Sequence, residues 1–597
     1  MQNSLKVGFN RNGAIFILSL LSFLYVIPAY SAKVFCLAQL LPSTNNYYNS
    51  SVPTVDPAIP ANSFSLSKRW NDLFDFSSYG EYGKERSGRI SGAFSQEIDW
   101  QNIGGNHTKS FLTQGMDYLS ELHVNIQEKL WSDYNFESRF FIRKTDNKYI
   151  DPRRDARLKE FNLRVLNSNS LYELGNIYAD FSQFVLGSSL EGYNIQIAPN
   201  SFQKYYVIAA REHPADESAA KFQRNFFGGK ADFFLFKDSN IFSNFRVGLQ
   251  GGATRDDGAT LEHTIYTQEL RNLVGSIDGE ISFIKIFSLQ YEIARSGYVA
   301  DYLAQSKNYN SGTAFRVQPA LNFDKFSVRY LYYYVQPEFY TNFGSASADK
   351  RQQQVTVDYR FNDKADCSFI ENYYYDRLAD SLRDKRTVNN EKYLNFNFRP
   401  FTSRRDLNLR PYINYLSTYS DDDRNSLKSK TKTVGFSVND TLSGKTTYGL
   451  NYEYRAFEDG ANDKAMSEWF QRVGVNLGNE QQLLNRRLYY YVEPSMDIRR
   501  TKTDDDKDIN FILSFSGQYD MYNNLITRFG YNLQNTDSAV PDQDFVNNRS
   551  FFEFDFLLSQ KRSTHVVFRA ERNWFKYDDS AQDYNETRTI LKFITNF

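Results

Sequence analysis

The sequence predicts an all-β chain folded as a single large antiparallel transmembrane β-barrel of about 26 strands (24–26). Three observations carry this. From Arg89 onward apolar and polar residues alternate with a period of two. The connections between the alternating segments switch regularly between short and long. And the chain closes on "TRTILKFITNF", in which Phe597, Phe593 and Leu591 stand on one face and Asn596, Ile594, Lys592 and Ile590 on the other.

Taken in order, the first 38 residues read as an export signal. Lys6 and Arg11 give a positive start, Ala14 to Ala29 an apolar run, and small residues allow cleavage after Ser31 or after Ala38. The apolar run is short for a spanning helix. Residues 39–88 hold a Pro, Asn and Ser-rich stretch that reads as an arm or partial plug, with a short helix expected at Ser67–Phe76. Residues 89–597 are assigned to the barrel.

Within that span the alternation is explicit. "YLSELHVNIQEKL" sets Leu122, Val124 and Ile126 against Glu121, His123 and Asn125. "FSLQYEI" sets Phe287, Leu289 and Ile293 against Ser288, Gln290 and Glu292. "TTYGLNYEYR" sets Leu450, Tyr452 and Tyr454 against Asn451, Glu453 and Arg455. Helical spacing fits none of these. Short connections are expected at 284–287, 322–326, 362–364 and 560–563, and long ones at 254–272, 377–392, 419–432 and 535–549. Strand plus connection takes roughly 20 residues, which accommodates the 9–11 that a tilted spanning strand needs.

A soluble sandwich also alternates. The strands here are longer than the 5–6 residues usual in globular sheets, and the polar face stays densely charged with no linker between domains. Aromatics make up 17% of the chain, with 51 Phe and 43 Tyr but 5 Trp. They gather at strand ends, as at Tyr373–Tyr375 and Tyr489–Tyr491, where interfacial girdles are expected. A mean hydropathy of −0.59 suits a barrel in which only alternate strand residues meet lipid. The net charge of −1 points to no nucleic acid. Two cysteines, Cys36 and Cys367, exclude a disulfide scaffold.

The ending "TILKFITNF" resembles the terminal strand of bacterial outer-membrane β-barrel proteins, large porin-like or translocon-like barrels among them. The resemblance implies that Phe597, Phe593 and Leu591 form the signal read by the barrel-assembly machinery. It also implies that the last strand closes against the first. It places short turns and both termini in the periplasm and long loops outside, in contact with outer-membrane lipid and lipopolysaccharide. The chain lacks the N-terminal CxxC of barrels that sheathe multihaem conduits, and a plug domain of the kind carried by TonB-dependent receptors.

Catalytic and cofactor chemistry is not indicated. Five histidines show no metal-ligand spacing. His123 and His565 fall on the polar face, with Ser563 close to the latter, but a solvated lumen histidine is the plain reading. The acidic runs at 421–424 and 504–508 lack the calcium-loop pattern. "GNIYADFSQFVLGSSLEG", Gly175–Gly192, breaks the alternation and reads as a bulge, a tight bend, an inward-folding constriction segment or simple turn punctuation. The polar stretch 211–225 is a second candidate to enter the pore. Lumen-lining candidates are Glu137, Arg139, Arg143, Arg329, Glu453, Arg455, Arg528, Glu553, Asp555, Arg569, Glu571 and Lys592. Their mixed signs predict ion-pair ladders and little net field. The expected function is a channel, either a passive diffusion pore or an export conduit. A scaffold barrel holding a periplasmic or plug partner is the alternative, and an outer-membrane enzyme a distant third.

Overall fold

In a computed structural model, residues 88–597 are described except 131–132, 152–154, 214–220, 237–240, 261–267, 285, 303–307, 380–385, 402–405, 421–426, 443, 462–465, 503–505, 540–542 and 560–562. The export signal, the arm and its expected short helix lie outside the described residues, as do 421–424 and the start of the 504–508 run.

Twenty-six strands follow in chain order. The first nine are β1 (Arg89–Gly105), β2 (Gly115–Lys129), β3 (Asn135–Thr145), β4 (Arg157–Leu166), β5 (Ser170–Ile177), β6 (Leu190–Asn200), β7 (Gln203–His213), β8 (Gln223–Phe234) and β9 (Phe242–Asp257). Then come β10 (Arg271–Phe283), β11 (Phe287–Val299), β12 (Tyr309–Asn322), β13 (Phe326–Val335), β14 (Lys350–Asn362), β15 (Ala365–Asp376), β16 (Thr387–Phe398), β17 (Asn408–Ser420) and β18 (Lys428–Leu442). The last eight are β19 (Thr446–Asp459), β20 (Glu468–Leu483), β21 (Arg486–Thr501), β22 (Lys507–Tyr522), β23 (Leu525–Asp537), β24 (Phe545–Ser559), β25 (Thr564–Tyr577) and β26 (Tyr584–Asn596). Each pairs antiparallel with its chain neighbours, and β1 pairs with β26, so the sheet closes into a barrel with no edge strand.

The two faces differ as the alternation requires. On β10, Leu273 is 63% exposed and Ile277 49%, while Val274, Ser276 and Asp278 between them are buried. Exposed apolar rows beside buried polar ones invert the order of a soluble protein and match a barrel facing lipid outward and water inward.

Connections after even-numbered strands are mostly short, such as 284–286, 323–325 and 484–485; those after odd-numbered strands are long, such as 178–189, 258–270 and 336–349. Several long connections are shorter than their polar composition suggested. Residues 271–272, 387–392, 428–432 and 545–549 belong to strands. Beyond the apolar band both faces of a strand meet polar surroundings, so the ladder continues after the hydrophobic pattern stops.

At the seam, the Gly92 N–H donates to the Phe597 carbonyl at 2.8 Å and the Phe597 N–H to the Gly92 carbonyl at 3.0 Å. The Phe597 ring lies over Gly92, where a Cβ would fall 2.6 Å from the ring Cζ and 2.3 Å from the His123 carbonyl oxygen. Glycine at 92 is what seats Phe597.

Three outward-facing prolines interrupt the ladders. Pairing lapses around Pro319 between β12 and β13, around Pro411 between β16 and β17, and around Pro494 between β20 and β21. Each proline lacks an N–H and cannot donate on that side. Each stays in register with its other neighbour, opposite Leu289, Phe436 and Leu513.

Candidate lumen constriction

The long connections 178–189 and 336–349 turn into the barrel and pack on the inward face of β7 to β13. Backbone turns from Ser182 to Val185 (3.1 Å) and to Leu186 (3.0 Å) present Phe184, Val185 and Leu186 to the wall. All three are buried, as are Phe339 and Phe343 of the second connection. Beneath them lie Tyr206, Ile208, Phe226, Val274, Ala294, Ala314 and Val335. The outward neighbours of these wall residues, Val207, Phe227, Leu273 and Ile293, stay exposed. The barrel therefore contains a hydrophobic core inside its lumen, confined to one side.

The two connections hold each other. The Gly187 N–H donates to the Phe343 carbonyl at 2.7 Å, and the Ser345 N–H to the Gln183 carbonyl at 2.8 Å. The Phe184 and Phe339 rings meet edge-on at 5.7 Å, and Phe226 and Phe343 at 5.2 Å. Polar pins tie them to the wall. The Ser182 N–H donates to Gln250 Oε1 at 2.8 Å, Asn272 Nδ2 to the Tyr340 carbonyl at 2.9 Å, the Tyr340 N–H to Ser296 Oγ at 2.9 Å, and Lys230 Nζ to the Asp180 carbonyl at 2.7 Å. Burial pushes the Tyr340 phenol above its ordinary value, with Arg224 opposing. Small wall residues make the room: at Gly312 a Cβ would fall 2.1 Å from the Phe339 nitrogen. These features describe a fixed shelf, anchored by packing and hydrogen bonds at both ends.

Phe184→Ala should loosen the shelf by about 3–5 kcal/mol. Limited proteolysis is the readout: cleavage within 178–189 should rise sharply, whereas Phe111→Ala, at a side chain 96% exposed, should leave the pattern unchanged. Equal protease resistance in both variants would show that Phe184 does not anchor the shelf.

Around the remaining wall the lumen carries paired charges. Arg143 Nη2 lies 2.7 Å from Glu121, and Arg164 bridges Glu137 and Glu173 at 3.4 Å each. On β23 to β25, Arg528 reaches Glu553 at 2.6 Å and Asp555 at 3.2 Å; Arg569 reaches Glu553 at 3.4 Å and Glu571 at 3.1 Å; Arg549 reaches Glu571 at 2.5 Å. The ladder crosses the seam, where Lys592 meets Glu97 at 3.1 Å and Arg588 meets Asp99 at 2.7 Å. Arg329 pairs with Asp358 at 3.1 Å, Tyr412 Oη donates to Glu453 at 2.7 Å, and Arg455 lies 4.8 Å from the centre of the Phe470 ring. Arg139 lines a polar recess with His123, Glu137 and Glu160, and His123 stacks on Phe141 at 4.1 Å. His565 Nδ1 is 2.8 Å from Asp555, while Ser563 lies in the turn before β25. The Arg329 and Arg472 side chains are 51% and 54% exposed, so this side of the lumen is solvated.

A second charge cluster borders the shelf. Arg246 sits between Asp232 (2.7 Å) and Asp278 (2.5 Å), and Gln250 Nε2 donates to Asp278 at 2.7 Å. The sequence reading named 175–192 as a stretch that might turn inward and missed 336–349. It also missed Arg246, Asp232 and Asp278, although their parity is as regular as that of the residues chosen. The 211–225 stretch supplies the ends of β7 and β8, with 214–220 outside the described residues.

No family model matches the chain, and no curated protein matches it. Among solved structures it is similar to the siderophore receptor PirA from Pseudomonas aeruginosa, with 9% identity, a TM-score of 0.39, and coverage of 85% of this chain and 80% of that one. It is also similar to OccK3 (OpdO) from Pseudomonas aeruginosa, with 11% identity, a TM-score of 0.25, and coverage of 85% and 96%. A third is OpdK with vanillate, from the same organism, with 9% identity, a TM-score of 0.26, and coverage of 85% and 99%.

Proposed function

We propose that this chain is an outer-membrane channel whose wide lumen is narrowed from one side by a fixed internal shelf. The observation that carries the reading is the division of the lumen. One arc of wall is covered by the packed connections 178–189 and 336–349, and the other is a solvated ladder of ion pairs. Barrels of 16–18 strands already leave an aqueous channel, so 26 strands enclose room for both the shelf and a water path. The ladder alternates in sign along facing strands, which leaves little net field to favour one sign of solute.

Conductance of the purified protein in a planar bilayer tests this. Large, ohmic, weakly selective openings are the expected result. Silence in the bilayer, together with a partner that co-purifies at fixed stoichiometry, would instead favour a scaffold barrel that holds another protein.

A further inference from the structure

Most charged strand residues of this barrel face the lumen. On the long-loop side of β14 to β18 they also face outward. On β18 the outward positions Val438, Phe436 and Val434 are followed by Lys432, Lys430 and Lys428, all three lysines exposed. Lower on the same face, the Asp440 carboxylate accepts from Tyr448 Oη at 2.7 Å. The climb from Asp440 to Lys432, at about 3.3 Å per residue and a tilt of about 40°, is about 20 Å, close to the ~25 Å apolar band of such barrels. The lysine ladder therefore starts where the apolar band ends.

Neighbouring strands extend the patch at the same height. Lys432 stands opposite Tyr415, which stands opposite Lys392. Two rows further up, Lys428 continues through Tyr419, Val388 and Tyr375 to Arg351. Arg351 is held in place: its guanidinium lies 5.4 Å from the Tyr332 ring and 5.9 Å from the Tyr375 ring, and Nη1 donates to Tyr375 Oη at 3.1 Å. Its buried Nε has no hydrogen-bond partner among the described residues. The carboxylates on this grid are Glu371, 3.2 Å from Lys392, and Glu458, opposite Lys430. Five cations thus stand against two carboxylates.

We propose that this outward grid holds the phosphorylated headgroup of an outer-leaflet glycolipid. The assignment rests on the outer-membrane reading above. Lysines at alternate positions are point charges suited to phosphate, the tyrosines between them suit the boundary between acyl chain and headgroup, and a surface-facing cation contributes about 1 kcal/mol toward an anionic lipid surface.

The test measures binding of bisphosphorylated lipid A and of its dephosphorylated form to the full chain in detergent, by native mass spectrometry. Wild type should prefer the phosphorylated form. Replacing Lys428, Lys430 and Lys432 together with Gln should weaken that binding by about fivefold per lysine removed and leave the dephosphorylated form unaffected. Lys364→Gln with Lys445→Gln, at the short-turn rim, should change nothing. Equal binding by wild type and the triple variant would overturn the proposal, as would a wild type that does not distinguish the two lipids. If the triple variant fails the heat-modifiable mobility check for folding, Lys430→Gln and the wild-type comparison decide. Unchanged conductance in a variant that has lost lipid binding separates this site from the channel, and silent wild-type bilayers with intact lipid preference would fault the channel alone.

Discussion

Gly312→Leu is expected to unseat the shelf and widen the conducting path. A Cβ at 312 falls 2.1 Å from the Phe339 nitrogen and 2.5 Å from the Glu338 carbonyl carbon. Both are backbone atoms, so no rotamer change relieves the clash and the connection itself must move. Its displacement strips Phe339 and Phe343 from Ala314 and Phe226 and breaks the tie between Phe343 and Gly187. Each exposed Phe forfeits about 1.5–3 kcal/mol of burial, enough to release a segment of this length rather than shift it. Single-channel conductance should rise several-fold over wild type, with new protease cleavage within 336–349. Gly275→Leu is the control, because at 275 a Cβ meets nothing closer than 3.9 Å. A Gly312→Leu channel with wild-type conductance would mean that the shelf does not limit flow.

The second large effect is expected at the seam. Deleting Phe597 removes both backbone bonds to Gly92 and the ring that covers it. Gly92→Leu leaves Phe597 present but fills its seat, where ring and His123 carbonyl already crowd the Cβ position. Both variants should assemble poorly and be lost to proteolysis before insertion. Heat-modifiable mobility in membrane extracts, together with total yield, reads this. The pair separates two roles for Phe597. A deletion that fails while Gly92→Leu assembles normally would place the effect in recognition of the terminal residue. Failure of both would place it in the fit of the closing strands. Normal yield of the deletion would remove the aromatic from assembly altogether.

The barrel was legible in the sequence because each strand repeats the same statement. Lipid outside and water inside impose a period of two on every segment, so errors in one strand do not disturb the count. Strand ends were less legible. Lys428 to Lys432 carry no apolar alternation, and polar composition alone assigned them to a loop. The shelf was half legible. "FSQFVLG" stood out because three large apolar residues break the alternation between polar neighbours. "QPEFYTNFGSASAD", at 336–349, did not, since Phe339 and Phe343 are spaced like ordinary loop aromatics. The missed signal was on the wall: on the inward parity of β8 to β12, Gly228, Gly252, Ala294, Gly312 and Ala314 stand where other strands carry charged or amide side chains. A run of small residues on one face of consecutive strands marks something lying against them. Ion-pair partners were legible only as parity, because the register that sets Arg528 beside Glu553 depends on turns whose lengths the sequence leaves ambiguous.

The three proline lapses have a mechanical consequence. A closed ring of strands resists stretching around its circumference through hydrogen bonds acting in series, so the most weakly bonded interface yields first. Pro319, Pro411 and Pro494 each thin one interface, and the interfaces recur at every fourth strand along β12–β13, β16–β17 and β20–β21. Each of these pairs is a hairpin joined by a connection on the short-turn rim, so the covalent chain spans the weak joint there and opening is confined to the opposite rim. None lies beneath the shelf except where β12–β13 borders it. Lateral compression by lipid is therefore taken up as flexing of the ion-paired arc, while the arc bearing the shelf stays stiff and keeps its constriction constant.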